Sequence, residues 1–362
     1  MSILKLLRLP PDPDNEQMKH KPDFNEFKNY LLGKQKASRL HIADLLIDDD
    51  ILKQYTIEIL KQTWIDREDD LHGYLKNYVD CYRSMGFDYV PVHFWIQNTF
   101  RNFPQPETWI AHDKGLITSD SEYDNFPWKQ IYVDYSCLDI LTEYLPERMK
   151  IVAVTGDLQD LMDCLVGTVS FMMMIYDNPE LLDKLINRWY AIKLQLFETV
   201  LRYDSVGAVF SCADMGSSHS TLVSPDFIQA KLMPWYKKFS DTAHEHDKMY
   251  WFHSCGDIYS HKVIDMLIDD VGIDAFHSFQ DSICPVTEFL DKYGEKTAAL
   301  GGIDLDKLCR LDASELRTYI RSTIRKSLNR GRYAIGTGNS VPDYVPFRNW
   351  LILLEEAEKF NL

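Results

Sequence analysis

Eight short runs rich in apolar and β-branched residues recur along this chain, each separated from the next by a stretch long enough for a helix. They cover residues 40 to 46, 89 to 92, 150 to 154, 207 to 212, 249 to 252, 273 to 276, 297 to 300 and 332 to 335. The first is the weakest, because Asp44 interrupts its apolar run. Strands alternating with helices imply parallel pairing, since each crossover returns the chain to the same end of the sheet. Eight such units predict an α/β fold in the form of a single (β/α)8 barrel. A doubly wound open sheet is the competing fold. It lacks a GxGxxG after an early strand, and Gly336-Thr337-Gly338 is too short and too late to serve as one. The 362 residues exceed the roughly 250 of a typical barrel, so an insertion is expected, and the aromatic-rich block from 94 to 132 is the natural place. Residues 1 to 22 are polar and Pro-rich and read as an N-terminal arm, with the barrel occupying 23 to 362. Asp23 as N-cap, Phe24, Phe27, Tyr30 and Leu31 at helical spacing, and Gly33 just beyond predict its first helix.

Composition then excludes whole classes of function. Apolar residues at 45% and charged residues at 26% are ordinary for a folded globular protein. The 39 Lys and Arg against 55 Asp and Glu leave a net charge of −16, which repels phosphate backbones, so nucleic acid is not an expected partner. No window approaches the roughly 20 apolar residues of a membrane span, and the N-terminus carries no cleavage-site pattern; the expectation is a cytoplasmic protein that does not engage the membrane. Seven cysteines, scattered without CxxC pairs, suit reduced thiols better than a disulfide framework.

In a barrel, chemistry sits just after the strand C-termini. Here five successive strand ends carry polar segments: Asp214 to His219, His253 to Asp257, His277 to Asp281, Gly301 to Asp304, and Gly336 to Ser340. His253-x-Cys255 is the sharpest of these. In extended backbone, residues two apart face the same way, so an imidazole and a thiolate hold one ion between them, and zinc is the natural tenant. The alternative is a hydrogen-bonded His253 beside a packed Cys255 thiol. His277, Asp281, Asp214 and His219 are candidates to complete a ligand set; the plainer readings are a cap on the barrel mouth for His277, a helix cap for Asp281 and a solvated side chain for His219. Asp214 at a strand end is also placed for general acid–base work. Asp304 is either functional or the N-cap of the helix begun by Leu305 and Leu308. Glycines around Thr337 and Asn339 allow close backbone approach to a ligand.

Asp214-Met215-Gly216, then Leu222-Val223-Ser224-Pro225, His253-Ser254-Cys255-Gly256, Gly301-Gly302-Ile303-Asp304, and Gly336 to Ser340 with Pro342, Pro346 and Asn349 follow one another in this order. The series resembles the uroporphyrinogen decarboxylase superfamily, whose members are (β/α)8 barrels and include tetrapyrrole decarboxylases and cobamide-dependent methyltransferases. The Arg-rich segment with which true decarboxylases hold substrate carboxylates has no counterpart before Asp88. The methyltransferases are the nearer likeness. That resemblance implies His253 and Cys255 as zinc ligands and a third, cysteine ligand in the loop after the eighth strand, where Thr337 stands here. His277, Asp281 or Asp214 is expected to replace it. The implied reaction moves a methyl group between a corrinoid, such as cobalamin on a separate corrinoid protein, and a small thiol acceptor, with Asp214 as the acid–base residue. Substrate contacts are expected from His219, Asp304, Thr337 and Asn339, and a homodimer is the expected assembly. A metal-free decarboxylase or lyase relying on Asp214, and a non-catalytic corrinoid or tetrapyrrole binder, are the other two readings.

Overall fold

The computed structural model describes residues 21–98 and 115–360; nearly all of the expected N-terminal arm, and the middle of the expected insertion, lie outside the described residues. Among the described residues there are nine strands, most of them separated by helices: β1 (Tyr89–His93), β2 (Ile96–Asn98), β3 (Ile131–Val133), β4 (Lys150–Gly156), β5 (Val206–Cys212), β6 (Met249–His253), β7 (Ala275–His277), β8 (Ala298–Leu300) and β9 (Tyr333–Ala334). Seven of them hydrogen-bond in the order β1, β4, β5, β6, β7, β8, β9. The order never reverses. A doubly wound sheet must reverse at a switch point, so that fold is excluded, and the α/β class with strands in barrel sequence stands. The described residues divide into two compact units, one of residues 21–91, 136–152 and 277–360, the other of residues 92–98, 115–135 and 153–276.

In the first unit the opening helix, Phe24–Leu31, forms as its spacing predicts: the Asp23 side chain accepts the Glu26 amide, Phe24, Phe27 and Leu31 are buried, and Gly33 turns the chain at φ 70°. β8 and β9 pair in parallel, Ala299 opposite Tyr333 and Leu300 opposite Ala334. The expected first strand, residues 40 to 46, is a correction. It survives only as isolated parallel bridges from Ile42 to Ile335 and from Ile47 to Val341. Between those bridges the Asp44 side chain takes the Thr337 amide at 2.6 Å, a bond that a continuous ladder would have given to backbone.

The second unit is built on β5 and β6, which pair in parallel over five residues from Ala208 opposite Met249 to Cys212 opposite His253. Both strands are almost wholly buried, which is why they read in the sequence as continuous apolar runs. Helix Pro179–Val200 opens with Asn178 accepting the Leu181 amide and Pro179 in its first turn, and it buries Leu182, Leu185 and Trp189. Within the aromatic-rich block, β2 and β3 form a small antiparallel pair. Among the described residues no helix is long and apolar enough to cross a membrane.

Candidate metal centre

The site grows from the register of β5 and β6. Cys212 lies opposite His253, so the two strands end level and their following loops leave side by side. These loops are tied together: Ala213 donates its amide to the His253 carbonyl at 3.0 Å, Met215 to the Ser254 hydroxyl at 3.1 Å, and Asp257 to the Ser217 carbonyl at 2.6 Å. Gly216 and Gly256 meet backbone to backbone at this junction. A Cβ on Gly256, whose φ is +83°, would stand 2.3 Å from the Gly216 carbonyl carbon. Gly256→Ala is therefore expected to lower the unfolding free energy by more than about 2 kcal/mol, through clash and left-handed strain together. An unchanged urea midpoint would contradict this.

The result of the junction is a three-residue cluster. His253 Nε2 lies 3.3 Å from Cys255 Sγ and 3.4 Å from Asp214 Oδ1, and the Cys255 amide donates to that same Oδ1 at 2.9 Å. Nitrogen, sulfur and oxygen donors all fall within 4.8 Å of one another, and among the described residues this is the one His/Cys/Asp/Glu group able to hold a metal ion. His253 is buried, whereas the Asp214 side chain is 40% exposed, so the cluster has a closed back and an open front. Charge is arranged accordingly. Burial alone would lower the His253 pKa, but the nearby Cys255 sulfur and the hydrogen bond to Asp214 outweigh it and push it up to about 10. Partial burial would raise Asp214, yet His253 and the Cys255 amide hold its carboxyl down at about 2. A carboxylate, a thiol and an imidazole thus converge on one site.

Zinc fits these donors. With bonds of about 2.0 to 2.3 Å, a tetrahedral zinc site has donor–donor edges of about 3.3 to 3.8 Å, a range that includes the 3.3 and 3.4 Å separations here. The sequence reading names all three residues, but it leaves Asp214 as one alternative among several. His277 and Asp281 belong to the first unit and are not members of the cluster. His277 is buried with Nε2 donating to the Thr337 carbonyl at 3.1 Å, and Asp281 accepts Lys307 Nζ at 2.6 Å and the Tyr319 hydroxyl at 2.9 Å. His219 is exposed, its amide 3.5 Å from the Ser217 hydroxyl. Asp304 caps helix Leu305–Arg310 by accepting the Lys307 amide at 3.1 Å, and also accepts the Asp281 amide at 2.8 Å. Thr337 is buried and bonded to Asp44, while Asn339 is half-buried and accepts the Ser340 amide at 2.7 Å.

Two buried polar groups escaped the sequence reading. Asp44 left a trace as the polar interruption of an apolar run. The pair of Asp160 with Lys193, 2.8 Å apart, left a weaker one: a lysine four residues after Trp189 on the buried face of its helix.

A family profile described as uroporphyrinogen decarboxylase (URO-D) matches residues 113–360, over two thirds of the chain. No curated protein sequence matches. Among solved structures, the fold is similar to that of a methyltransferase from Methanosarcina mazei, with a TM-score of 0.66 at 13% identity over 92% of this chain and 97% of that one. A candidate vitamin-B12-independent methionine synthase from Listeria monocytogenes superposes more loosely, with a TM-score of 0.45 at 13% identity over 88% of this chain and 96% of that one. The profile match over the strands that carry Asp214, His253 and Cys255 shows that the chain belongs to the uroporphyrinogen decarboxylase family.

Proposed function

We propose that the chain is a zinc-dependent methyltransferase that moves a methyl group between a corrinoid, carried on a separate protein, and a small thiol acceptor. The observation that carries this reading is the cluster of His253, Cys255 and Asp214, whose mixed N, S and O donors are those of a catalytic rather than a purely structural zinc site. Zinc held there supplies Lewis acidity that keeps an acceptor thiol in its nucleophilic thiolate form near neutral pH. His253 and Cys255, fixed by the end of β6, hold the ion from the closed side. Asp214 completes the set from the end of β5 and, as a half-exposed carboxylate in that opening, is placed to orient the acceptor. Membership of the uroporphyrinogen decarboxylase family and the fold shared with the Methanosarcina mazei methyltransferase support the reading.

The test is zinc-loaded protein with methylcobalamin and a panel of small thiols, followed by the loss of methyl–cobalt absorbance. Thiol-dependent demethylation that falls by at least about 100-fold in His253→Ala is the expected result. No demethylation by metal-loaded protein, or equal rates in wild type and His253→Ala, would sink the proposal; activity without metal would favour lyase chemistry based on Asp214.

A further inference from the structure

The polar groups of Thr337 are all engaged inside the first unit. Its amide and its hydroxyl both lie against Asp44 Oδ1, at 2.6 and 2.7 Å, and the hydroxyl also contacts the Asn339 carbonyl. Its own carbonyl accepts from His277 Nε2 at 3.1 Å. Asp44 is buried, and its Oδ2 has no hydrogen-bond partner. Gly336 makes the approach possible, since a Cβ there would stand 1.9 Å from the Ala43 carbonyl oxygen and 2.7 Å from Asp44 Oδ1.

Counting protons in this group gives an unexpected answer. A threonine hydroxyl owns one proton, and this one lies between two oxygens, of which the Asn339 carbonyl has no proton to give. That proton can be shared between the two in a bifurcated bond, but each contact is a full hydrogen bond when the buried Asp44, whose Oδ2 has no partner, brings a proton of its own. We propose that Asp44 is a neutral carboxylic acid in the folded chain, donating from Oδ1 to the Thr337 hydroxyl, which donates in turn to the Asn339 carbonyl, and that this shared proton positions the loop of residues 336–340. Were Asp44 ionised, the two contacts would divide a single proton beside a buried anion that no cation among the described residues offsets.

The surroundings agree. Burial is the largest influence on the Asp44 carboxyl and pushes it up to about 7, with the two Thr337 hydrogen bonds pulling it back only in part. The Tyr89 hydroxyl donates to the Asp44 backbone carbonyl at 2.7 Å, and Tyr82 and Tyr333 also feel the carboxyl's charge. All three phenols are held well above their usual range and stay neutral, so none supplies a positive charge. Asp44 is thus a positioning residue. It ties the degenerate first strand to the strand-end loop that carries Thr337 and Asn339, independently of any metal.

The sign of the pH dependence follows. In the unfolded chain Asp44 ionises near 3.8, whereas in the folded chain it keeps its proton to about 7, so raising the pH through that window favours unfolding. The folding constant of the wild type relative to Asp44→Asn, which cannot ionise, is expected to fall about tenfold per pH unit between about 4 and about 7 and to level off above. A ratio independent of pH would overturn the proposal. Should Asp44→Asn fail to fold, infrared spectra of wild type and Thr337→Val with labelled aspartate carboxyls decide the matter. Buried Asp157, whose carboxyl burial likewise pushes up to about 7, is expected to contribute a protonated-carboxyl signal that Thr337→Val leaves in place. A second band, present at pH 5, lost by pH 8 and shifted by Thr337→Val, is expected for Asp44; a spectrum that Thr337→Val does not alter would overturn the assignment.

Discussion

Cys255→Ala is expected to weaken zinc binding by more than about 100-fold, because loss of even a residue that merely supports a ligand costs about 10 to 100-fold in metal affinity. The sulfur sits 3.3 Å from His253 Nε2, so its removal opens one edge of the donor set and leaves an imidazole and a carboxylate to hold the ion alone. His253→Ala is expected to act in the same direction, and more severely, since that imidazole touches both of the other donors. Chelator competition measures the change. Stability should move much less, because Cys255 is half-exposed and lies beyond the end of β6. Wild-type zinc affinity in both variants would mean that the cluster is not the binding site.

Asp160→Ala is expected to destabilise the protein by about 3 to 5 kcal/mol, the typical cost of leaving one member of a buried ion pair without its partner. Lys193 is wholly buried on helix Pro179–Val200, its ammonium 2.8 Å from Asp160 and 5.5 Å from the centre of the Trp189 ring. Ring contact is worth about 2 kcal/mol at most, so it does not compensate for the lost carboxylate. Replacing both residues at once, as Asp160→Leu with Lys193→Met, should recover most of the loss, because apolar groups of similar size need no partner there. Urea unfolding of the single and double variants checks both statements. A single variant that loses less than about 1 kcal/mol would show that Lys193 finds another anion.

The strands were the most legible part of the fold, for a physical reason. A parallel strand buried on both faces, such as β5 or β6, needs apolar residues at every position, and that leaves an unbroken run in the sequence. The segment around Asp44 reads poorly as a strand because it is only partly one: its carboxyl takes hydrogen bonds that backbone would otherwise make. His253 and Cys255 could be read as a pair because extended backbone places alternate residues on one side. Their third companion could not. Asp214, His277 and Asp281 all lie at or just beyond strand ends and look alike in one dimension, and only the register that sets Cys212 opposite His253 brings Asp214 forward. Asp304 shows the opposite limit, since its sequence position suits chemistry and capping equally while its carboxyl accepts the helix amide of Lys307.

Elemental analysis of the purified protein after metal-replete expression, alongside Cys255→Ala and His253→Ala, tests the central claim most directly. About one zinc per chain in the wild type, lost from both variants, is the predicted result. A wild-type protein without zinc, or variants that retain it in full, would contradict the metal centre and with it the methyl-transfer reading.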